Sequence, residues 1–404
     1  MKKDQLVWFV SRVGLSLFVY VAIFYFVFGW SLNYYEGDSL NYHIPIAKAF
    51  LDHSVINPNH IAGVPFLKFS PGSSEIIISL LMILKIPINI YNVIGSIFLL
   101  LSSYFVARRF NLGKDYSLLF AVTIIGLNIV SRWINTQIID LWFTGWYFLT
   151  LGLLQKPQKN IKYFVFLGLT SGMFIGSKYS GPLFASILFI FYFKVILKNL
   201  NIKRFLSFLI PFTITGLSWY LRNLYFAKNP FYPQPFLFFK GDYFPILSAP
   251  VWKSTFITKG GEIRFFNAII AEFKLFAVLV FTPLALLFKK INSSSFRVLI
   301  LIGLLNLLIY MFLPSDKFYN IAVSSFRYSL PATFTLILGI FVIAKKYNKE
   351  NIIAILSLVN FMIAPVYIYK PKLLIITLPL VFIIFYPNEF WKTVKGKSLL
   401  IRRR

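Results

Sequence analysis

Apolar runs of membrane-spanning length recur along the whole chain, each closed by a short polar loop. About 20 mostly apolar residues let an α-helix cross a bilayer, and the first such run extends from Leu6 to Trp30. Residues 31–72 then turn polar, broken by the amphipathic stretch IPIAKAFL at 44–51. That pattern predicts a helix lying along the membrane surface, with Pro45 in its first turn, where a missing N–H costs nothing. Segment 73–109 is apolar but interrupted at Lys85-Ile86-Pro87, so a short partial helix followed by a full one is expected. Segments 116–135 and 137–154 form a predicted hairpin whose far turn lies near Asp140. Segments 161–177 and 182–197 form another, turning at SKYSG (177–181). Segment 205–221 leads into a second long polar stretch, 222–265, rich in Pro and aromatic residues. Segments 266–288, 297–313, 328–344, 351–368 and 372–386 complete the series.

Basic residues give the series a direction. Arg108, Arg109 and Lys114, then KPQKNIK (156–162), KNLNIKR (198–204), KKINSSSFR (289–297) and KKYNKEN (345–351) fall in alternate loops. The positive-inside rule puts these loops and the N-terminus, with Lys2 and Lys3, in the cytoplasm. The two long polar stretches then face outward. The expectation is an all-α polytopic protein of about 12–13 transmembrane helices in one membrane domain, with 31–72 as a large first extracytoplasmic loop.

Composition agrees with the pattern. The chain is 58% hydrophobic and only 13% charged, with mean hydropathy +0.73, which excludes a water-soluble globule. The runs are continuous rather than alternating, which argues against a β-barrel. A net charge of +28 invites a nucleic-acid reading, but the Lys and Arg residues sit in short membrane loops and the tail, where topology and anionic lipid account for them. With no cysteine, disulfides, thiolate catalysis and Cys-type metal sites are excluded. The first run is too long for a signal peptide and is followed by no small-residue cleavage site, so it reads as a retained helix in a multi-pass plasma-membrane protein.

The candidate chemistry sits in the first outer loop. All three histidines, His43, His53 and His60, lie there with Glu36, Asp38 and Asp52, and Glu75 follows. The chain has 13 acidic residues against 41 basic ones, so this concentration is notable. Asp38, in GDSLNYH (37–43), can take a proton from a hydroxyl while facing water. The competing reading makes it the N-cap of a surface helix starting near Ser39. His43 and Glu36 can assist by hydrogen bonding. No cofactor is predicted, and a divalent metal held by these two residues stays open, although histidine spacings of ten and seven match no compact zinc pattern. Three outer-face cations, Lys178, Arg222 and Arg327, run against the positive-inside trend. Cations of this kind suit phosphate oxygens, with snorkelling to lipid headgroups as the alternative.

Four stretches, GDSLNYHIPIA (37–47), KFSPGSSEI (68–76), GLTSGMFIGSKYSG (168–181) and SWYLRNLYFAKNPFYP (218–233), with FRYSLP (326–331) as a weaker fifth, resemble the GT-C superfamily of membrane glycosyltransferases that use polyprenyl-phosphate sugars. The likeness is to the protein O-mannosyltransferase and aminoarabinose-transferase-like branch, over about residues 1–335. It implies an inverting glycosyltransferase working outside the cytoplasm. Asp38 would be the general base, Arg222, Lys178 and Arg327 would hold the donor phosphate, and Glu36, His43, Glu75 and Asp140 would line the cavity. The acceptor is a glycan, lipid or protein. The chain departs from many relatives in carrying Gly-Asp where they have Asp-Glu. A transporter or flippase of lipid-linked sugars, or an inert relative that assembles envelope components, remains the alternative. Transporters often carry internal repeats, and none is visible here.

Overall fold

The computed structural model describes residues 3–28, 37–52, 57–61, 65–235, 238–242, 248–257, 259–287, 293–316 and 326–363. Glu36, His53 and the expected segment 372–386 lie outside the described residues.

Among the described residues, six helices are long and apolar enough to cross a membrane, and shorter apolar helices at Ile161–Ile175 and Glu350–Ile363 join them. Their boundaries follow local chemistry. The side chain of Asn160 accepts a hydrogen bond from Tyr163 N (2.7 Å) and that of Asn201 one from Arg204 N (2.9 Å), so each satisfies an amide left over at a helix start. The interrupted segment is a short helix, Glu75–Ile83, and a full one, Tyr91–Arg109. Between them Lys85 takes a left-handed conformation (φ 54) and Pro87 follows, which together stop an α-helix.

Helix Tyr91–Arg109 packs along Asp140–Gln155 and Lys114–Ile125, and the latter also meets the first helix, Lys3–Phe28. Helix Ile161–Ile175 lies along Ile202–Phe212 at very close range. A Cβ added at Gly168 would come within 2.1 Å of Phe208 O, and one at Gly172 within 2.1 Å of Thr215 Oγ1. Only small residues allow backbones to approach like this. Helix Ser294–Phe312 packs on Leu330–Lys346.

Three regions differ from the expected pattern. Segment 116–135 is helical only to Ile125, then gives a short helix, Asn128–Ser131, and turns that reach Asp140. Asn92 fixes these turns by donating to Ile138 O (2.7 Å) and Trp133 O (3.2 Å). Segment 266–288 begins as α-helix Gly261–Phe273 and continues as a 3₁₀ stretch, Lys274–Leu287. There Lys274 has positive φ (49) and Pro283 supplies no amide. A three-residue antiparallel ribbon, Ser248–Pro250 with Pro314–Asp316, ties the second outer loop to the end of helix Ser294–Phe312.

Basic loops meet at one end of the bundle. Lys156 Nζ donates to Asn111 Oδ1 (2.5 Å), Lys345 Nζ donates to Asn111 O, and Arg12 pairs with Asp115 (3.0 Å).

Candidate functional site

Gly37 and Asp38 are already helical, and a turn of π-helix, Ser39–His43, follows them and runs into helix Ile44–Asp52. The Asp38 side chain makes no capping hydrogen bond, so the N-cap reading does not describe it. The carboxylate accepts instead from Arg327 Nη2. Arg327 stands in the 3₁₀ turn Phe326–Ser329 at the head of helix Leu330–Lys346. Phe326 anchors that turn, packing against the rings of Phe265, Phe273 and Tyr310.

Asp140 is the first residue of helix Asp140–Gln155, and its side chain is buried. The positive end of a helix dipole favours a carboxylate there. One of its oxygens pairs with Lys178 Nζ, and the other lies 3.8 Å from Arg327 Nε. Lys178 hangs from the turn between helices Ile161–Ile175 and Gly181–Asn199. Its backbone carbonyl is held by Gly181 N (2.9 Å) and by the Tyr220 hydroxyl (3.3 Å). Its ammonium sits 4.3 Å from the Tyr328 ring centre. Two carboxylates and two cations from four separate parts of the chain thus form one network.

Asp38, Asp140, Lys178 and Arg327 line a single cavity of about 770 Å³. His43, Asn41, Tyr42, Tyr179, Ser180 and Tyr328 add polar groups to its wall. Leu183, Phe231, Pro235, Phe312 and Leu313 add apolar surface, so the aromatic second outer loop closes over part of it. The size suits a small organic ligand. Burial raises the Asp38 pKa, but Arg327, His43 and Lys178 outweigh burial and hold the carboxyl below its ordinary value. Burial, together with the Glu75 charge, pushes the Tyr42 hydroxyl well up, so it is a neutral donor.

The remaining candidates fall around this core. His43 is buried, and its Nδ1 lies 2.8 Å from Oε1 of the fully buried Glu75, which sits behind it at the start of helix Glu75–Ile83. Arg222 is also buried, but Nη2 donates to Ser70 O (3.0 Å) and Nε donates to Asn223 Oδ1 (3.1 Å). It stacks 4.8 Å from the Trp219 ring and is outside the lining of the 770 Å³ cavity. Its geometry ties the first outer loop to helix Ser218–Ala227. Glu272 lies near the end of helix Gly261–Phe273 and pairs with Arg132 (2.7 Å). Tyr328 was not singled out by sequence reasoning, although it touches both Lys178 and Arg327. Its position beside Arg327 in FRYSLP was the available signal.

Among the described residues no three His, Asp or Glu side chains converge as a metal would need. Asp38 and Asp140 already face the cations Arg327 and Lys178. No step below runs through a metal ion.

No protein-family model matches the chain, and no curated protein matches it. Solved structures do. The apo structure of ArnT from Cupriavidus metallidurans superposes with a TM-score of 0.56 at 13% identity, over 83% of this chain and 61% of that one. The same protein bound to undecaprenyl phosphate gives 0.57 at 14%, over 83% and 62%. The oligosaccharyltransferase of Archaeoglobus fulgidus, in complex with Zn and sulfate, gives 0.52 at 16%, over 91% and 53%. The chain therefore shares the largely helical fold of these two proteins and is a multi-pass membrane protein. It spans about three-fifths of the length of ArnT and about half that of the oligosaccharyltransferase.

Proposed function

We propose that the protein is an inverting glycosyltransferase that moves a sugar from a polyprenyl-phosphate donor to an acceptor hydroxyl. The observation that carries this reading is the convergence of Asp38, Asp140, Lys178 and Arg327 on one cavity. The ArnT complex with undecaprenyl phosphate supports a polyprenyl phosphate as the carrier.

The chemistry needs few groups. A polyprenyl-phosphate sugar is a phosphodiester with one negative charge, and cleavage at the anomeric carbon leaves a monoester with nearly two. Fixed cations at the departing oxygen favour the more charged transition state, and Lys178 and Arg327 supply them. Asp38 takes the proton of the attacking hydroxyl. Attack from the side opposite the phosphate inverts the anomeric centre, so one base suffices, where glycosidases need a pair of carboxylates. Asp140 orients both cations through its two oxygens.

Loop charge supports an outward-facing site. The loops around Asn111, Lys156 and Lys345 gather basic residues at one end of the bundle, the signature of a cytoplasmic face. Asp38 and Lys178 lie in the intervening loops of opposite parity, which supports a cavity that faces outside, as in a plasma-membrane enzyme. The acceptor is a glycan, lipid or protein reached from that side.

The test is sugar transfer by the purified protein in lipid, from a panel of radiolabelled polyprenyl-phosphate sugars to membrane extracts, with Asp38→Asn alongside. Transfer by the wild type, reduced about 10²–10⁴-fold in the variant as for loss of a general base, is the expected result. Equal transfer by both would remove Asp38 as base, and no transfer from any donor would overturn the enzyme reading.

A further inference from the structure

The loop around Asp38 contains a second acid–base pair that the transfer scheme above does not use. His43 and Glu75 meet 2.8 Å apart, with side chains 6% and 0% exposed. Among the described residues no Lys or Arg pairs with Glu75, and its Oε2 has no hydrogen-bond partner. A buried carboxylate is costly unless it is hydrogen-bonded, and an Nδ1–H on His43, 2.8 Å from Oε1, would supply that bond.

The backbone brings this pair to Asp38. In an α-helix, residues five apart point about 140° away from each other. The i→i+5 bonding of a π turn makes five residues close to one full turn. Ser39–His43 is such a turn, closed by Ile44 N donating to Ser39 O. Asp38 and His43 therefore share a face, and both line the cavity. With Nδ1 turned to Glu75, the opposite ring edge, carrying Nε2, is left for the cavity side. The ionisable groups around the pair are Asp38 on the same turn, Tyr42 beside it, Tyr91 near Glu75, and Lys178 and Arg327 across the cavity.

We propose that the Glu75–His43 pair is the proton acceptor behind Asp38, taking from it the proton removed from the acceptor hydroxyl. This rests on the transfer reaction proposed above. The hydroxyl oxygen bonds to the anomeric carbon, the bond from that carbon to phosphate oxygen breaks, and the phosphate leaves with the electron pair. The hydroxyl proton passes to Asp38 and then to His43 Nε2, while Nδ1–H stays on Glu75. An imidazole is ordinarily a stronger base than a carboxylate by roughly two to three pKa units, so this direction regenerates Asp38 as the base. The proton then leaves to water. Glu75 acts as the positioning residue, holding the tautomer that leaves Nε2 bare, the role a carboxylate plays behind a histidine base.

Two measurements test it. Nitrogen-15 NMR of histidine-labelled full-length protein in nanodiscs, assigned with His43→Gln, should find neutral His43 protonated at Nδ1. In Glu75→Gln it should find mixed tautomers. An Nε2–H tautomer in the wild type would overturn the proposal whether or not any sugar is transferred. Kinetically, His43→Gln should leave KM for the donor unchanged and lower kcat about 10²-fold. Added imidazole should restore kcat to His43→Gly and do nothing for Asp38→Asn. Unchanged kcat in the Gln variant, or a raised KM with no rescue by imidazole, would reduce His43 to packing. Silence of the wild type with every donor would count against the transfer reaction itself, and the tautomer would still judge the pair.

Discussion

Replacing Arg327 by Gln removes a guanidinium that faces both cavity carboxylates. Two unit charges about 4 Å apart attract by roughly 4 kcal/mol at an effective dielectric near 20, and by about 1 kcal/mol in water. The Asp38 side chain is 48% exposed, which places its share near the lower limit, about 1–1.5 kcal/mol. At 1.36 kcal/mol per unit that is about one pKa unit. The sign follows from the balance at Asp38, where burial raises its pKa and Arg327, His43 and Lys178 together hold it below the ordinary value. The wild-type base thus stays ionised until the pH falls through that depressed pKa. Without Arg327 burial is less opposed, so the acid limb of kcat/KM should move up by about one unit. At neutral pH kcat should also fall roughly 10²-fold, because a preorganised charge at the leaving phosphate is gone. Arg327→Lys should keep the limb in place and lose part of the rate, since an ammonium cannot reproduce the guanidinium fork. The assay is a pH profile of sugar transfer for the three proteins in nanodiscs. A Gln variant with an unmoved limb and wild-type kcat would refute the assignment of Arg327 to both carboxylates and the phosphate.

Two further changes probe the scaffold. Glu272→Gln leaves Arg132 without its carboxylate, now 2.7 Å away and 2% exposed. It should cost about 3 kcal/mol, read as a lower unfolding temperature in detergent, whereas an unchanged temperature would show that the pair holds nothing. Gly172→Ala puts a Cβ 3.0 Å from the Phe212 backbone and 2.1 Å from Thr215 Oγ1, and overpacking of this kind costs about 1–3 kcal/mol. Gly113→Ala, where nothing lies within 4 Å, is the control, and equal stability of the two variants would mean the helices do not meet there.

Hydropathy and loop charge are local properties, and what depends on them was legible. Helix Ile161–Ile175 answers to the expected 161–177, and Ser294–Phe312 to 297–313. The interruption at Lys85-Ile86-Pro87 announced the partial helix Glu75–Ile83, because Pro and a left-handed residue act at their own positions. The spacing of Gly168, Gly172 and Gly176 was a further readable signal, since small residues four apart in an apolar helix mark a close crossing. Pairings were not legible. Asp38 and Arg327 stand 289 positions apart, and nothing in either neighbourhood names the other. Lys178, Arg222 and Arg327 look alike as outer-face cations, yet two enter the ion-pair network of the cavity while Arg222 is turned into Ser70 and Asn223. The π turn leaves no mark in composition, although it decides that His43 shares a face with Asp38.

The ion-pair network also sets how the base responds to the donor. Asp38, Asp140, Lys178 and Arg327 sum to zero charge and are already paired. A donor phosphate in the proposed reaction therefore competes with Asp140 for Lys178 and with Asp38 for Arg327. Both consequences have one sign at Asp38, because a weakened bond to Arg327 and a nearby anion each raise its pKa. The base thus becomes stronger when the donor is in place and is held weak by Arg327 when it is absent. A pH profile separates the two states, because kcat/KM reports the free enzyme and kcat the occupied one. The acid limb of kcat should lie at higher pH than that of kcat/KM in the wild type, and the gap should shrink in Arg327→Gln, where the free enzyme has already lost the restraint. Coincident limbs in the wild type would mean that the phosphate leaves the Asp38–Arg327 pair intact, and the donor would then have to be held by Lys178 without Arg327.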